Sequence, residues 1–415
     1  MSHPARTPAV ALLCWRDLDH PQGGGSELYI QRVGAELARR GMRVTLLTAG
    51  FPGCDDETVV DRVRIVRRGG RLSVYPRAVG MLLGARLGVG PLRGFAPDII
   101  VDTQNGVPFF ASLVSQRTVV LVHHCHREQW PVAGPTLARL GWWIESRLSP
   151  WVHRRRRYVT VSAPSRSELV GLGVDAERIS VVRAGIDPAP AVEAAPMVEA
   201  APVVEAASVV DPARAIGVVP TVGAAPTPGT EPAGPRIVVL SRLVPHKQIE
   251  HALDVLAALR DEVEDLSMDV VGGGWWDEQL QAYARESGVA DRVVFHGHVS
   301  QQRKHELLAG ARVHLMPSRK EGWGIAVVEA AQHSVPTVGY RASAGLTDSI
   351  DDGVTGLLVD GREELIAATR KLLEDPGFAG RLGNAARDAA SSYSWSATAD
   401  GFTEVFAEVN PDVAW

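Results

Sequence analysis

Glu321 and Glu329 stand eight residues apart in Ser318-Arg319-Lys320-Glu321-Gly322-Trp323-Gly324-Ile325-Ala326-Val327-Val328-Glu329, a glycine-containing turn opening into an apolar run. If one helix carries both, that separation is a little over two turns, so the acids share a face and address two parts of one ligand. Val313-His314-Leu315-Met316-Pro317 before them reads as a short buried strand, and Ala330-Ala331-Gln332 continues the helix toward Pro336. Strand, turn and helix N-terminus is an arrangement in which free N–H groups and the macrodipole favour a phosphate. Acids at this spacing are also common on solvated helix faces. A second set is Ser241-Arg242-Leu243-Val244-Pro245-His246-Lys247, which follows the apolar run Arg236-Ile237-Val238-Val239-Leu240 and presents two permanent cations five residues apart. Arg242 offers a fork of donors and Lys247 a point charge, a pair suited to an anionic ligand. Surface cations beside acids such as Glu250 are the plainer alternative.

Three further clusters carry chemistry. Gly23-Gly24-Gly25-Ser26-Glu27 lets the backbone approach a ligand, with Ser26 placed to cap a helix starting there. It lacks the lysine of a P-loop and the spacing of a dinucleotide fingerprint. His123-His124-Cys125-His126-Arg127-Glu128 gathers histidines, but neighbouring positions point in different directions and no paired metal ligands stand nearby. A core histidine is the competing reading. Asp17-Leu18-Asp19 is a D-x-D that invites a metal interpretation.

The elements that must position these groups alternate strand and helix. Ala9-Val10-Ala11-Leu12-Leu13-Cys14, Val44-Thr45-Leu46-Leu47-Thr48, Asp98-Ile99-Ile100-Val101-Asp102 and Thr118-Val119-Val120-Leu121-Val122 read as buried parallel strands. A helix is expected from about Ser26 to Arg40, closed by Gly41. The rhythm predicts a parallel sheet with right-handed crossovers over residues 1–187. It resumes at Arg236, with Leu266 to Val271, Val293 to Phe295 and Val313 to Leu315 as later strands of a domain over residues 235–395. Between them, residues 188–234 turn to Ala, Pro, Val and Glu with almost no aromatics, predicting a flexible insertion without chemistry of its own. A docking segment for a partner is the other reading of that composition. Phe402, Val405, Phe406 and Val409 suit a last helix over residues 396–415.

The chain has 415 residues, enough for two cores, and its formal net charge of −5 argues against a general nucleic-acid binder. Cys14, Cys54 and Cys125 form no CxxC, so neither a structural zinc nor a disulfide framework is indicated and a reducing cytoplasm fits. Met1 to Arg6 lacks the apolar core of a secretory signal, and no apolar run reaches the roughly 20 residues of a membrane span. The expected location is cytoplasmic.

The acid motif, followed by Pro336-Thr337-Val338-Gly339 and Asp352-Gly353-Val354-Thr355-Gly356-Leu357-Leu358-Val359, resembles the donor-site signature of the retaining glycosyltransferases of family 4. The resemblance covers nearly the whole chain outside the insertion and is strongest over residues 236–360. It implies an α/β protein of the GT-B type, two Rossmann-like domains facing across a cleft, with the C-terminal helix crossing back to the first domain. It implies transfer of a hexosyl group from a UDP- or GDP-sugar with retention, without metal or cofactor. Glu321, His123, Arg242 and Lys247 take the catalytic positions. Gly24, Gly25, Gly322, Trp323, Gly324, Ile325, Ala326 and Glu329 take donor contacts, Glu329 at the ribose, with the backbone of His298 and Val299 at the base. Trp323 replaces the usual Phe, which would narrow the sugar pocket. In that family Asp17 and Asp19 lie on the acceptor side, away from the diphosphate, so the D-x-D reads as a decoy.

The acceptor is expected on the first domain, near Gln104, Asn105 and Glu128, and would be a sugar, a lipid-linked molecule or another small molecule. Trp142 to Trp151 and Arg154 to Arg157 mix tryptophans with cations. That mixture reads as a solvated charge run beside a core helix or, alternatively, as a peripheral contact with the inner membrane face or an anionic lipid acceptor. The rival functions are a non-catalytic nucleotide-sugar-binding scaffold and a sugar phosphorylase or epimerase on the same fold. Both acids together with both cations favour an enzyme, because a binder need not stabilise charge that develops only during reaction.

Overall fold

The computed structural model describes residues 6–130, 134–190 and 234–415. Most of the Ala/Pro/Glu-rich insertion therefore lies outside the described residues. The first domain is an eight-stranded sheet: β1 (Ala9–Leu13), β2 (Arg43–Thr48), β3 (Glu57–Val60), β4 (Val63–Arg67), β5 (Ile99–Thr103), β6 (Thr118–Val122), β7 (Arg157–Thr160) and β8 (Ile179–Val181). Its order is β3-β4-β2-β1-β5-β6-β7-β8. The second is a six-stranded sheet of β9 (Arg236–Leu240), β10 (Ser267–Val271), β11 (Val293–Gly297), β12 (Val313–Met316), β13 (Thr337–Tyr340) and β14 (Gly356–Val359), ordered β11-β10-β9-β12-β13-β14. All pairings are parallel except β3 with β4. Fully apolar runs such as β1 and the first three residues of β5 are buried on both faces, as helices covering both sides of a parallel sheet require.

In both domains the chain grows outward from one strand in one direction and then returns to grow in the other. The reversal falls between β1 and β5 in the first sheet and between β9 and β12 in the second. Open parallel sheets leave a crevice at such a point, beyond the carboxyl ends of the strands. The loops after β1, β6, β9 and β12 are therefore the ones that can meet a ligand.

The hairpin joining β3 to β4 was not anticipated. It turns through Asp61 and Arg62, both at positive φ (49° and 66°) and neither glycine. Left-handed backbone at both turn positions suits a tight hairpin, but without Asn-Gly or Asp-Gly the sequence carries no signal for it.

One apolar cluster ties the domains together. Tyr29, Ile30 and Val33 of helix Gly25–Arg39 pack with Trp323 and Val328 of the second domain and with Trp395, Phe402 and Phe406 of helix Trp395–Val409. That last helix lies on the first domain: Arg40 pairs with Asp400 at 2.7 Å, Arg157 with Glu408 at 2.9 Å, and Asn410 donates to the Asp98 carbonyl at 3.2 Å. Phe402 and Phe406 are fully buried there, each contributing roughly 1.5–3 kcal/mol of apolar burial.

Candidate active site

Arg242 leaves the end of β9 and Glu321 follows β12, the neighbouring strand at the reversal point, so the two arrive side by side. Their loops are stitched together by Arg319 N–H donating to the His246 carbonyl at 2.9 Å. Lys247 closes the short turn Pro245–Lys247 and its Nζ donates to Glu321 Oε1 at 2.5 Å. Burial alone would raise the Glu321 pKa, but the Lys247 charge and hydrogen bond, with Ser318 adding another, override it and hold the carboxyl below its usual value. Glu321 is thus an ion in a site where it is only 9% exposed.

The first domain supplies the opposite wall of a cavity of about 300 Å³. Gly25, Ser26 and Tyr29 face His123 and His124 on one side, with Arg242, Lys247 and Glu321 on the other. The approach between domains is close. A Cβ on Gly24 would lie 3.2 Å from Arg242 Cδ, and one on Gly322 would lie 2.7 Å from the His123 carbonyl oxygen, a separation that real side chains do not tolerate. Gly322 is required for that reason. Gly324 is required for another: its φ of +91° turns the chain into helix Ile325–Ala331.

This turn changes the expected arrangement of the acids. The helix starts at Ile325, so Glu321 belongs to the preceding loop and only Glu329 is helical. They do not share a helix face; both reach the same cavity because the loop folds back over it. Ser26 likewise does not cap its helix. Gly24 occupies that position and its N–H is bound by Glu27 Oε2 at 2.9 Å, while Ser26 lines the cavity from the first turn.

The charges around the cavity can be taken pair by pair. Lys247 holds Glu321, Lys304 holds Glu329 at 2.5 Å, Lys320 pairs with Glu168 across the domains, and Arg16 holds Glu27 at 3.0 Å. Arg242 makes no ion pair with a described residue. Desolvation and the nearby Arg16 lower its pKa, outweighing the pull of Glu27 and Glu321. It remains charged, since guanidinium does not deprotonate in proteins. The cleft therefore carries an uncompensated cation.

His123 is 8% exposed, meets Tyr29 edge-on at a ring separation of 5.1 Å and has no partner for Nε2 among the described residues. Burial pushes its pKa down to about 4, so near neutrality the ring is uncharged, with one N–H to donate. His246 beside Lys247 is also pushed to about 4, by burial first and the neighbouring cations second.

Other expected residues are more scattered. His298 lines the cavity, packed against Gly273, whereas Val299 packs with Val238 and Val271. Trp323 borders the cavity but belongs to the interdomain core, where its ring meets Tyr393 edge-on at 4.9 Å. The added indole bulk is accommodated by the core. Gln104, Asn105 and Glu128 do not line this cavity. Gln104 is buried and accepts from Ser149 Oγ at 2.5 Å, Asn105 reaches the Cys14 sulfur, and Glu128 is exposed. Gln129 lines it instead, hydrogen-bonded to His124 at 2.9 Å. Sequence reasoning missed Lys320 and the buried Arg16–Glu27 pair. Lys320 sits inside the acid motif, adjacent to Glu321, but nothing local reveals the Arg16 contact. Asp17 and Asp19 both bind Arg67, at 2.5 and 2.7 Å, and among the described residues no group of His, Cys, Asp and Glu is arranged to hold a metal.

Comparison with known proteins adds to this geometry. A family model described as Glycosyl transferases group 1 matches residues 228–389, and one described as Glycosyltransferase Family 4 matches residues 23–190. A GDP-mannose-dependent alpha-(1-6)-phosphatidylinositol monomannoside mannosyltransferase of Mycobacterium tuberculosis is 28% identical over 392 residues, 89% of this chain and 90% of that protein. A protein of the same description from Mycolicibacterium smegmatis is 37% identical over 171 residues, 39% of this chain and 44% of its own length. Among solved structures, a sucrose-phosphate synthase from Thermosynechococcus elongatus has the same fold, with a TM-score of 0.76 at 17% identity over 98% of this chain and 100% of that one.

Proposed function

Since the chain belongs to the GT-B glycosyltransferases of group 1, resembling family 4, we propose that it transfers a hexosyl unit from a nucleotide-diphosphate sugar, with retention of anomeric configuration and without a metal ion. The observation that carries this reading is the uncompensated Arg242 at the end of β9, facing the Gly24–Gly25 turn across the cleft.

Breaking a glycosyl phosphate bond puts growing negative charge on the diphosphate and positive charge on the anomeric carbon. Arg242 meets the first demand by binding phosphate oxygens as a fork. Lys247 joins it by exchanging Glu321 for phosphate, a move of one flexible side chain within the same loop pair. Glu321, still held ionised by the nearby Lys247 charge and the Ser318 hydrogen bond, then orients the sugar hydroxyls and its charge favours a cationic anomeric carbon. His123, neutral, donates a hydrogen bond to a sugar hydroxyl instead of providing a permanent charge. Glu329 binds the ribose once it releases Lys304. Among the described residues lining the cavity, no carboxylate besides Glu321 and Glu329 is present to serve as general base, so the leaving phosphate takes the acceptor proton on the face from which it departs, which yields retention.

The relatives' descriptions make GDP-mannose the first donor to test and a hydroxyl of an inositol-containing lipid the first acceptor. Incubation with GDP-mannose, UDP-glucose and UDP-N-acetylglucosamine in excess chelator, followed by NMR of the anomeric product, tests the reading. Donor turnover with an α product from an α donor is expected. Binding without turnover would favour the scaffold alternative, and an inverted product would remove the proposed proton route.

A further inference from the structure

Helix Pro135–Trp143 runs on through a π turn, Ile144–Leu148, into helix Ser149–Val152. Its inner face, spaced by four residues, is Gly141, Glu145, Ser149 and His153, all buried. Glu145 is fully enclosed and accepts from the His126 backbone N–H at 3.0 Å and from Trp130 Nε1 at 2.7 Å. The element is thereby fastened beneath the loop that carries His123 and His124 into the cleft.

The outer face combines exposed apolar side chains with arginines. Leu137, Leu140, Trp143 and Trp151 are 60%, 51%, 52% and 64% exposed. Arg139, Arg147, Arg154 and Arg155 stand exposed among or beside them, and none forms an ion pair with a described residue. The Arg154 guanidinium lies 5.5 Å from the Trp151 ring centroid. Glu145 is the sole carboxylate in residues 134–157 and it points inward, so the outer face is wholly cationic in a chain of net charge −5.

We propose that this outer face docks on an anionic lipid bilayer. Exposed indole and leucine side chains gain by entering the headgroup region, and arginines meet lipid phosphates without first breaking ion pairs. A purely electrostatic partner such as nucleic acid would have no use for the two leucines and two tryptophans. Docking there places the first-domain wall of the cleft next to the lipid surface. The inference stands on this surface and does not depend on the donor chemistry.

The test is flotation of the full chain with vesicles of phosphatidylcholine alone or mixed with phosphatidylglycerol, at low and high salt. The wild type is expected to float with the mixed vesicles and to be released by salt. Arg147→Glu/Arg154→Glu/Arg155→Glu should lower partitioning by at least about tenfold. Trp143→Ser/Trp151→Ser should weaken binding and remove the blue shift of tryptophan fluorescence. Thermal melts and donor turnover in solution, which these residues do not contact, show that the variants are folded. Equal binding to both vesicle types, equal binding by all variants, attachment to a nucleic-acid duplex in place of vesicles, or a dimer that the same substitutions dissolve would each overturn the proposal.

Discussion

The loops after β1 and β9 both bring cations and acids to a strand end at a chain reversal, yet they have opposite electrostatic character. After β1, Arg16 is matched by Glu27, and Asp17 and Asp19 are both taken up by Arg67, which is buried. After β9, Lys247 is matched by Glu321 but Arg242 has no ionic partner among the described residues. The first loop has the more conspicuous motif and the second has the unbalanced charge. Closed ion clusters hold a fold together, whereas an unbalanced, half-buried cation is costly to keep and is explained by a ligand that completes it.

The contrast can be broken most directly by removing one arginine from each loop. Arg242→Met is expected to cut donor turnover by about 100- to 1000-fold while leaving the melting temperature almost unchanged, as loss of a charge-stabilising donor does. Arg67→Met should do the reverse, destabilising by about 3–5 kcal/mol in a denaturant titration because Asp17 is left buried without its counter-ion, with turnover per folded molecule preserved. If both variants lost activity and stability in parallel, the distinction between the loops would fail.

The Lys247–Glu321 pair sharpens it further. Lys247→Met alone strands a buried carboxylate and should lower stability by several kcal/mol. Adding Glu321→Gln should recover most of that stability but none of the turnover. Recovery of activity in the double variant would remove both residues from the chemistry.

A smaller effect is expected from pH. Burial holds His123, His153 and His314 at about 4, below the ordinary 6.5, so the unfolded chain takes up their protons first as pH falls. Stability is therefore lost between about pH 6.5 and 4, by at most about 1.4 kcal/mol per pH unit for each histidine. Asp102, pushed up to about 6 by burial, takes its proton in the folded state first and offsets part of the loss below that pH. Melting temperature should fall from pH 7 to 5; a flat or rising profile would contradict these burial assignments. Least perturbing should be Trp323→Phe, which keeps an aromatic against Tyr393 and gives up an indole N–H that has no partner among the described residues. A stability loss under about 1.5 kcal/mol is expected, with little change in KM for the donor.

Much of this was legible before the structure. Strands β1, β6, β9 and β12 stand out because burial on both faces demands mostly apolar runs, and those runs locate the loops carrying Arg242, Lys247, Glu321 and His123. The β3–β4 hairpin was not legible, since Asp61 and Arg62 adopt a backbone that their side chains do not advertise. The position of Glu321 outside the helix depends on the left-handed turn at Gly324, which spacing alone cannot reveal. The acceptor side was the least readable: Gln104 resembles a surface amide in sequence, but Ser149, 45 residues later, draws it inward. Contacts between residues distant in sequence leave no periodic trace.

The central claim is that Arg242 completes its charge with a nucleotide diphosphate. Isothermal titration of GDP and UDP, in chelator and at fixed ionic strength, into the wild type and Arg242→Met measures it. Metal-free binding of at least one nucleotide, weakened about tenfold or more in the variant, is the predicted result, in line with about 1.5–3 kcal/mol for a hydrogen bond to a charged group. Equal affinity of the two proteins for the nucleotide that binds, or no binding of either nucleotide to the folded wild type, would contradict it.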